Sequence, residues 1–127
     1  MRFLTFFLGD LNLALRIEEV EGVVEEVNPV PIPKAPKHVV GIANIRNRIV
    51  PLISLPHLLN QELKVGKKWI IILSGEDRFL CEVDDIGEVV DCDEIRPTRD
   101  KSGLITGLIE KGKSTFLVID PGRLTRR

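Results

Sequence analysis

The sequence predicts an all-β domain. Three observations carry that prediction. Alternating or unbroken Ile, Val and Leu segments recur at short, roughly regular spacing, about nine or ten in all. Turn-forming Gly, Pro, Asn and Asp residues stand between them. No stretch sustains the 3.6-residue period of a long amphipathic helix. A chain of 127 residues with 43% hydrophobic content buries one core without disulfides, so residues 1–127 are expected to form a single domain, a barrel or a sandwich.

Phe3 to Leu8 reads as the first strand, stopped by Gly9-Asp10. Leu11, Leu13, Leu15 and Ile17 alternate with polar or small residues, which makes a half-buried return strand. Val20, Val23, Val24 and Val27 fall at helical spacing, but all are β-branched and Gly22 interrupts them. A bend at Glu18-Glu19 followed by a strand through Val27 is the better reading. Four prolines between Asn28 and Pro36 give an extended crossing segment. Lys37 to Val40 is expected as one helical turn.

The central stretch is Gly41-Ile-Ala-Asn-Ile-Arg-Asn-Arg-Ile-Val-Pro-Leu-Ile-Ser-Leu55, two β-rich arms around a turn. Asn47 tolerates the positive φ of a tight turn. Pro51 cannot donate to a ladder, so the second arm is expected at an edge or with a bulge. Pro56 to Leu59 is a short proline-started helix. Glu62 to Lys68 is a polar loop and the expected lobe boundary. Trp69 to Leu73 and Arg78 to Val83 flank the Ser74–Asp77 turn, and Ile86 to Val90 follows the Asp84-Asp85 turn. Residues 91–102 are polar. Leu104 to Ile109 and Ser114 to Ile119 form a hairpin with Gly112 at its turn. Asp120 caps a last helical turn, and Thr125 to Arg127 is expected as a frayed tail.

The Gly41–Leu55 stretch resembles the signature hairpin of the CheW-like family, adaptor domains of bacterial chemosensory arrays. That signature runs roughly Gly-apolar-x-Asn-apolar-Arg-Gly-x-apolar-apolar-Pro-apolar-apolar-Asp-Leu. Asn47 stands at the usual glycine and Ser54 at the usual aspartate. Glu82 to Val90 is similar to the family's Val-Asp-x-Val-x-x-Val segment, with Asp84 at its recurring aspartate, and Ile95-Arg-Pro97 to the apolar-x-Pro that follows. Residues 105–109 and 116–120 resemble its closing hairpin. The resemblance implies two small five-stranded β-barrel lobes packed across a shared core, with short helical turns. The lobes are expected at about 12–66 and 67–120, the strand at 2–8 completing the second. It also implies an adaptor that couples a chemoreceptor's cytoplasmic helical tip to the regulatory domain of a CheA-type histidine kinase. Carried over by position, the partner-binding residues are Val20, Gly22, Val23, Arg46 and Val83. In the family the arginine at position 46 faces a glutamate whose place here is Gly22. Arg46 must therefore pair with Glu21 or Glu25, or stay free for a partner. That departure also admits an adaptor of a divergent, pilus-type chemosensory system.

Other classes find little support in the residues. Net charge is −1, so no basic excess points to nucleic acid or an anionic membrane. No apolar run has the length of a signal peptide or membrane span, which predicts a cytoplasmic protein. Cys81 and Cys92 lie in separate strands without metal-ligand spacing. His38 and His57 are the only histidines and stand near no nucleophile pattern, so no enzyme activity, metal or cofactor is expected. The rival reading is a small-molecule-sensing or other protein-interaction β-domain, with an apolar pocket at the lobe junction.

Overall fold

The computed structural model describes residues 1–124; the tail expected at Thr125–Arg127 lies outside them. Eleven strands run in the order β1 (Arg2–Leu8), β2 (Leu11–Arg16), β3 (Val20–Val24), β4 (Val39–Ile45), β5 (Arg48–Ile53), β6 (Lys68–Ser74), β7 (Asp77–Val83), β8 (Asp85–Asp91), β9 (Arg96–Pro97), β10 (Ile105–Lys111) and β11 (Ser114–Ile119). One short helix, α1 (Leu55–Leu59), and 3₁₀ turns at Ile17–Glu19 and Pro121–Arg123 complete the elements. The all-β expectation holds.

The strands form two sheets, ordered β8-β1-β2-β11-β10-β9 and β3-β6-β7-β5-β4. Neither ladder closes on itself. Each sheet nonetheless buries both faces, which requires curling, because a flat outer face would meet water. The inner faces share one cluster, built from Phe6, Leu8, Leu13 and Leu15 of the six-stranded sheet and Ile70, Ile72, Cys81 and Val83 of the five-stranded one. The outer face of the six-stranded sheet encloses Phe3, Ala14, Ile109, Phe116 and Val118. That of the five-stranded sheet encloses Ala43, Val50, Leu52, Trp69, Ile71 and Leu80.

The two sheets follow one plan. In each, two hairpins are joined by a short parallel pairing: β2 with β11 at Leu13↔Leu117, and β7 with β5 at Leu80↔Leu52. In each, a further strand pairs with the first strand of one hairpin: β8 with β1, and β3 with β6. A fragment also caps the outer hairpin strand: β9 against β10, and the isolated Val30↔Ile42 bridge against β4. Capped turns end both halves. The Ser54 hydroxyl accepts from His57 N at the start of α1, and the Asp120 carboxylate accepts from Gly122 N after β11.

Four details depart from the sequence reading. The sheets divide the strands differently from lobes at 12–66 and 67–120. β2 stays with β1, and β6 and β7 stay with β3 to β5, so the chain changes sheet at Ile17–Glu19 and at Asp84 rather than in the 62–68 loop. β5 is not an edge strand and its pairing with β4 is regular at Pro51. Its pairing with β7 is a single residue pair long, so little donor capacity is needed from it on that side. Val39 and Val40 begin β4 rather than forming a helical turn. β3 ends at Val24, three residues before Val27.

Candidate functional site

β3 is an edge strand, bonded to β6 alone, with a register shift between Val20 and Gly22. The bulge turns alternate residues outward. Val20 packs half-buried against the shared core. Val23 is 43% exposed. A Cβ built on Gly22 would meet nothing within 4 Å, so the strand face there is unobstructed as well. Val83, in contrast, is 0% exposed: its side chain is a core group, in the same cluster against which Val20 packs.

Arg46 lies in the turn of the β4–β5 hairpin. Ile45 pairs with Arg48, so the hairpin loop is Arg46-Asn47 alone. Both residues have positive φ, 52° and 66°. That is the type I′ geometry that matches the twist of the flanking strands. Arg46, Asn47, Arg48 and Ile49 are all exposed, Ile49 at 64%. β3 and β4 end the hydrogen-bonded order with three strands between them, yet Val24 of β3 and Ile45 of β4 pack on one cluster. Glu21 is engaged by Arg78, and Arg46 belongs to no ion pair among the described residues. Its guanidinium is therefore available among the described residues.

Asp84 holds the two sheets in register. Its carboxylate accepts four backbone N–H bonds: Gly9 at 2.7 Å, Lys64 at 2.7 Å, Val65 at 2.8 Å and Gly66 at 3.0 Å. Gly9 belongs to the β1–β2 turn of one sheet, and residues 64–66 to the loop before β6 of the other. Desolvation alone would raise the carboxyl pKa, but the four donors outweigh it and hold the group below the usual carboxylate range. Sequence reasoning gave Asp84 a turn and matched it to the family's recurring aspartate, but did not give it these partners. Its donors lie 18 to 75 positions away, so no local pattern marks them. Glu19, beside the edge strand, is shifted the other way. Burial pushes its carboxyl up, Arg16 opposes, and Asp120 adds to the rise.

No group of three or more His, Cys, Asp or Glu among the described residues could hold a metal ion. Both cysteines are free, and burial pushes the Cys81 thiol well up, out of reach of nucleophilic chemistry. No helix among the described residues is long and apolar enough to cross a membrane.

Comparison with protein families matches the CheW-like domain to residues 2–127. The chain belongs to the CheW-like domain family. It is similar to the chemotaxis protein CheW of Treponema pallidum, 31% identical over 137 residues that cover 97% of this chain and 81% of that one. It is also similar to the chemotaxis protein CheW of Thermotoga maritima, 32% identical over 75 residues, 58% of this chain and 50% of the other. Among solved structures, the scaffolding protein TtCheW of Thermoanaerobacter tengcongensis superposes with a TM-score of 0.85 at 26% identity, covering 94% of this chain and 88% of that one. This CheW-like domain is therefore a module of a chemotaxis scaffold and adaptor family, not of an enzyme family. Within it, the glycine-to-asparagine change at 47 costs little, because Asn is among the few residues that accept φ of 66°.

Proposed function

We propose that this CheW-like domain is a cytoplasmic, non-enzymatic adaptor. It couples the cytoplasmic helical tip of a chemoreceptor to the regulatory domain of a CheA-type histidine kinase, and reaches membrane arrays only through those partners. The observation that carries this reading is an open apolar strand edge on a scaffold of the CheW-like family. Val20, Gly22 and Val23 supply that edge, with Val23 exposed and Gly22 unobstructed. An amphipathic helix laid on such an edge buries its apolar stripe, and a charge fixes its register. Covering one exposed valine is worth about 1.5 kcal/mol, so this edge supplies part of the roughly 8 kcal/mol of a micromolar complex, and polar and charged contacts around it supply the rest. Arg46 is the proposed charge, free of any partner within the described chain. Val83 serves from behind, as a core residue that keeps β7 in place.

The test is a pull-down of receptor tip and kinase regulatory domain with Arg46→Glu. Turn residues tolerate charge changes, so the variant should fold and melt as the wild type does, yet lose most of its capture. Undiminished capture removes Arg46 from the surface. A pilus-type chemosensory system is the second reading, favoured by Gly22 in place of the glutamate that this arginine faces elsewhere in the family. Stronger capture of receptors from such a system than of flagellar chemoreceptors would select it.

A further inference from the structure

At one end of the curled five-stranded sheet lies a cavity of about 320 Å³. Leu52, Ile53 and Trp69, all nearly buried, form its floor, and Pro31 and Pro56 stand at its rim. Its size is at the lower end of small-molecule sites, and the mouth of a curled sheet is a common place for one. None of Val20, Gly22, Val23, Arg46 or Val83 lines it, so its occupancy is independent of the adaptor reading.

One ionisable side chain, Glu82, lines this space, which apart from Ser54 is otherwise apolar. Its Oε2 accepts from Lys67 N at 3.0 Å, which fixes the carboxylate in place. Glu82 takes part in no ion pair among the described residues. Lys64 pairs with Asp10 at 2.9 Å and Lys68 with Asp85 at 3.3 Å, and Lys67 meets Glu82 through its backbone N–H rather than its ammonium. A purely apolar occupant would strip water from this carboxylate and give nothing back. An anion would be repelled. A cation on an apolar body satisfies both parts, since the ammonium meets Glu82 while the body lies on Trp69 and the aliphatic floor.

We infer that this cavity binds a small amphiphilic amine, an aromatic or branched apolar group bearing one ammonium. Trp69 is the chain's single tryptophan, so intrinsic fluorescence reads the site directly. The experiment titrates the full chain with phenethylamine and, separately, with phenethyl alcohol, which has the same shape without the charge. The amine should give a saturable change in Trp69 emission, with the alcohol at least about tenfold weaker, the ratio expected of one charge-assisted hydrogen bond. Glu82→Gln should bring the amine down to the level of the alcohol. An amine response that fails to saturate, or that equals the alcohol's in the wild-type chain, overturns the inference. The alcohol comparison needs no variant, so poor folding of Glu82→Gln cannot hide a negative result.

Discussion

At the residue scale, two glycines of the same sheet make opposite predictions. Gly41 is a glycine for want of space: a Cβ there would lie 2.5 Å from the Val30 carbonyl oxygen. That oxygen also accepts the Ile42 N–H at 2.9 Å, so the crossing segment cannot move aside without losing the bridge. Gly41→Ala should cost about 2–3 kcal/mol, the scale of overpacking against fixed atoms. Gly22 has neither a positive φ nor a neighbour within 4 Å. Gly22→Ala should stabilise by about 0.5 kcal/mol, through the unfolded chain. Chemical denaturation of the two variants checks both signs. Asp84 gives a prediction in pH. Its folded pKa is depressed, so its contribution is complete above the unfolded value of about 4 and is lost as pH falls through the lower folded value. Asp84→Asn should cost about 1–2 kcal/mol at neutral pH, with a donor set left under-satisfied. The gap between wild type and variant should hold constant down to about pH 4 and narrow below it. A gap that widens on acidification would contradict this account of the carboxylate.

At the element scale, the hairpins were legible and their partners were not. Gly9, Asn47, Gly75 and Gly112 each mark a turn, all four have positive φ, and each joins strands adjacent in sequence. Local chemistry decides such turns, and local chemistry is what a sequence displays. The β4–β5 turn carries the clearest consequence. Asn47→Gly should preserve or slightly raise stability, whereas Asn47→Val should lower it by about 1–2 kcal/mol, since a β-branched residue is strained at φ of 66°. Thermal melts of the two variants separate them. The parallel pairings of β2 with β11 and β5 with β7 leave no such trace. Leu13 meets Leu117 across more than a hundred residues, and nothing near either residue announces the other. For that reason the expected lobe boundary fell in the 62–68 loop. That loop is polar and carries Gly66, as a boundary would, but Asp84 reaches back from the true crossing and binds it.

At the scale of the whole molecule, the twofold plan of hairpins, bulges and caps has almost no sequence echo beyond the two proline-started turns. The plan is a matter of which strands meet, and different apolar residues satisfy it equally well. The N-terminal hairpin β1–β2 supplies to one sheet what β6–β7 supplies to the other, so the chain's two ends jointly build a single sheet. The residues expected on the candidate surface fall in different settings. Val23 and Gly22 lie on an open edge, while the 0% exposure of Val83 follows from a strand alternation that the family pattern alone does not fix. The central claim is that a scaffold with its apolar residues committed to three clusters works through the edge it leaves uncovered. Calorimetric titration of the full chain with the helical tip of a chemoreceptor from the same genome tests it most directly. The account predicts saturable binding near micromolar affinity, weakened at least about tenfold by Val23→Glu with the melting temperature unchanged. A folded wild-type chain that gives no binding, or a Val23→Glu variant that binds as tightly, would contradict it.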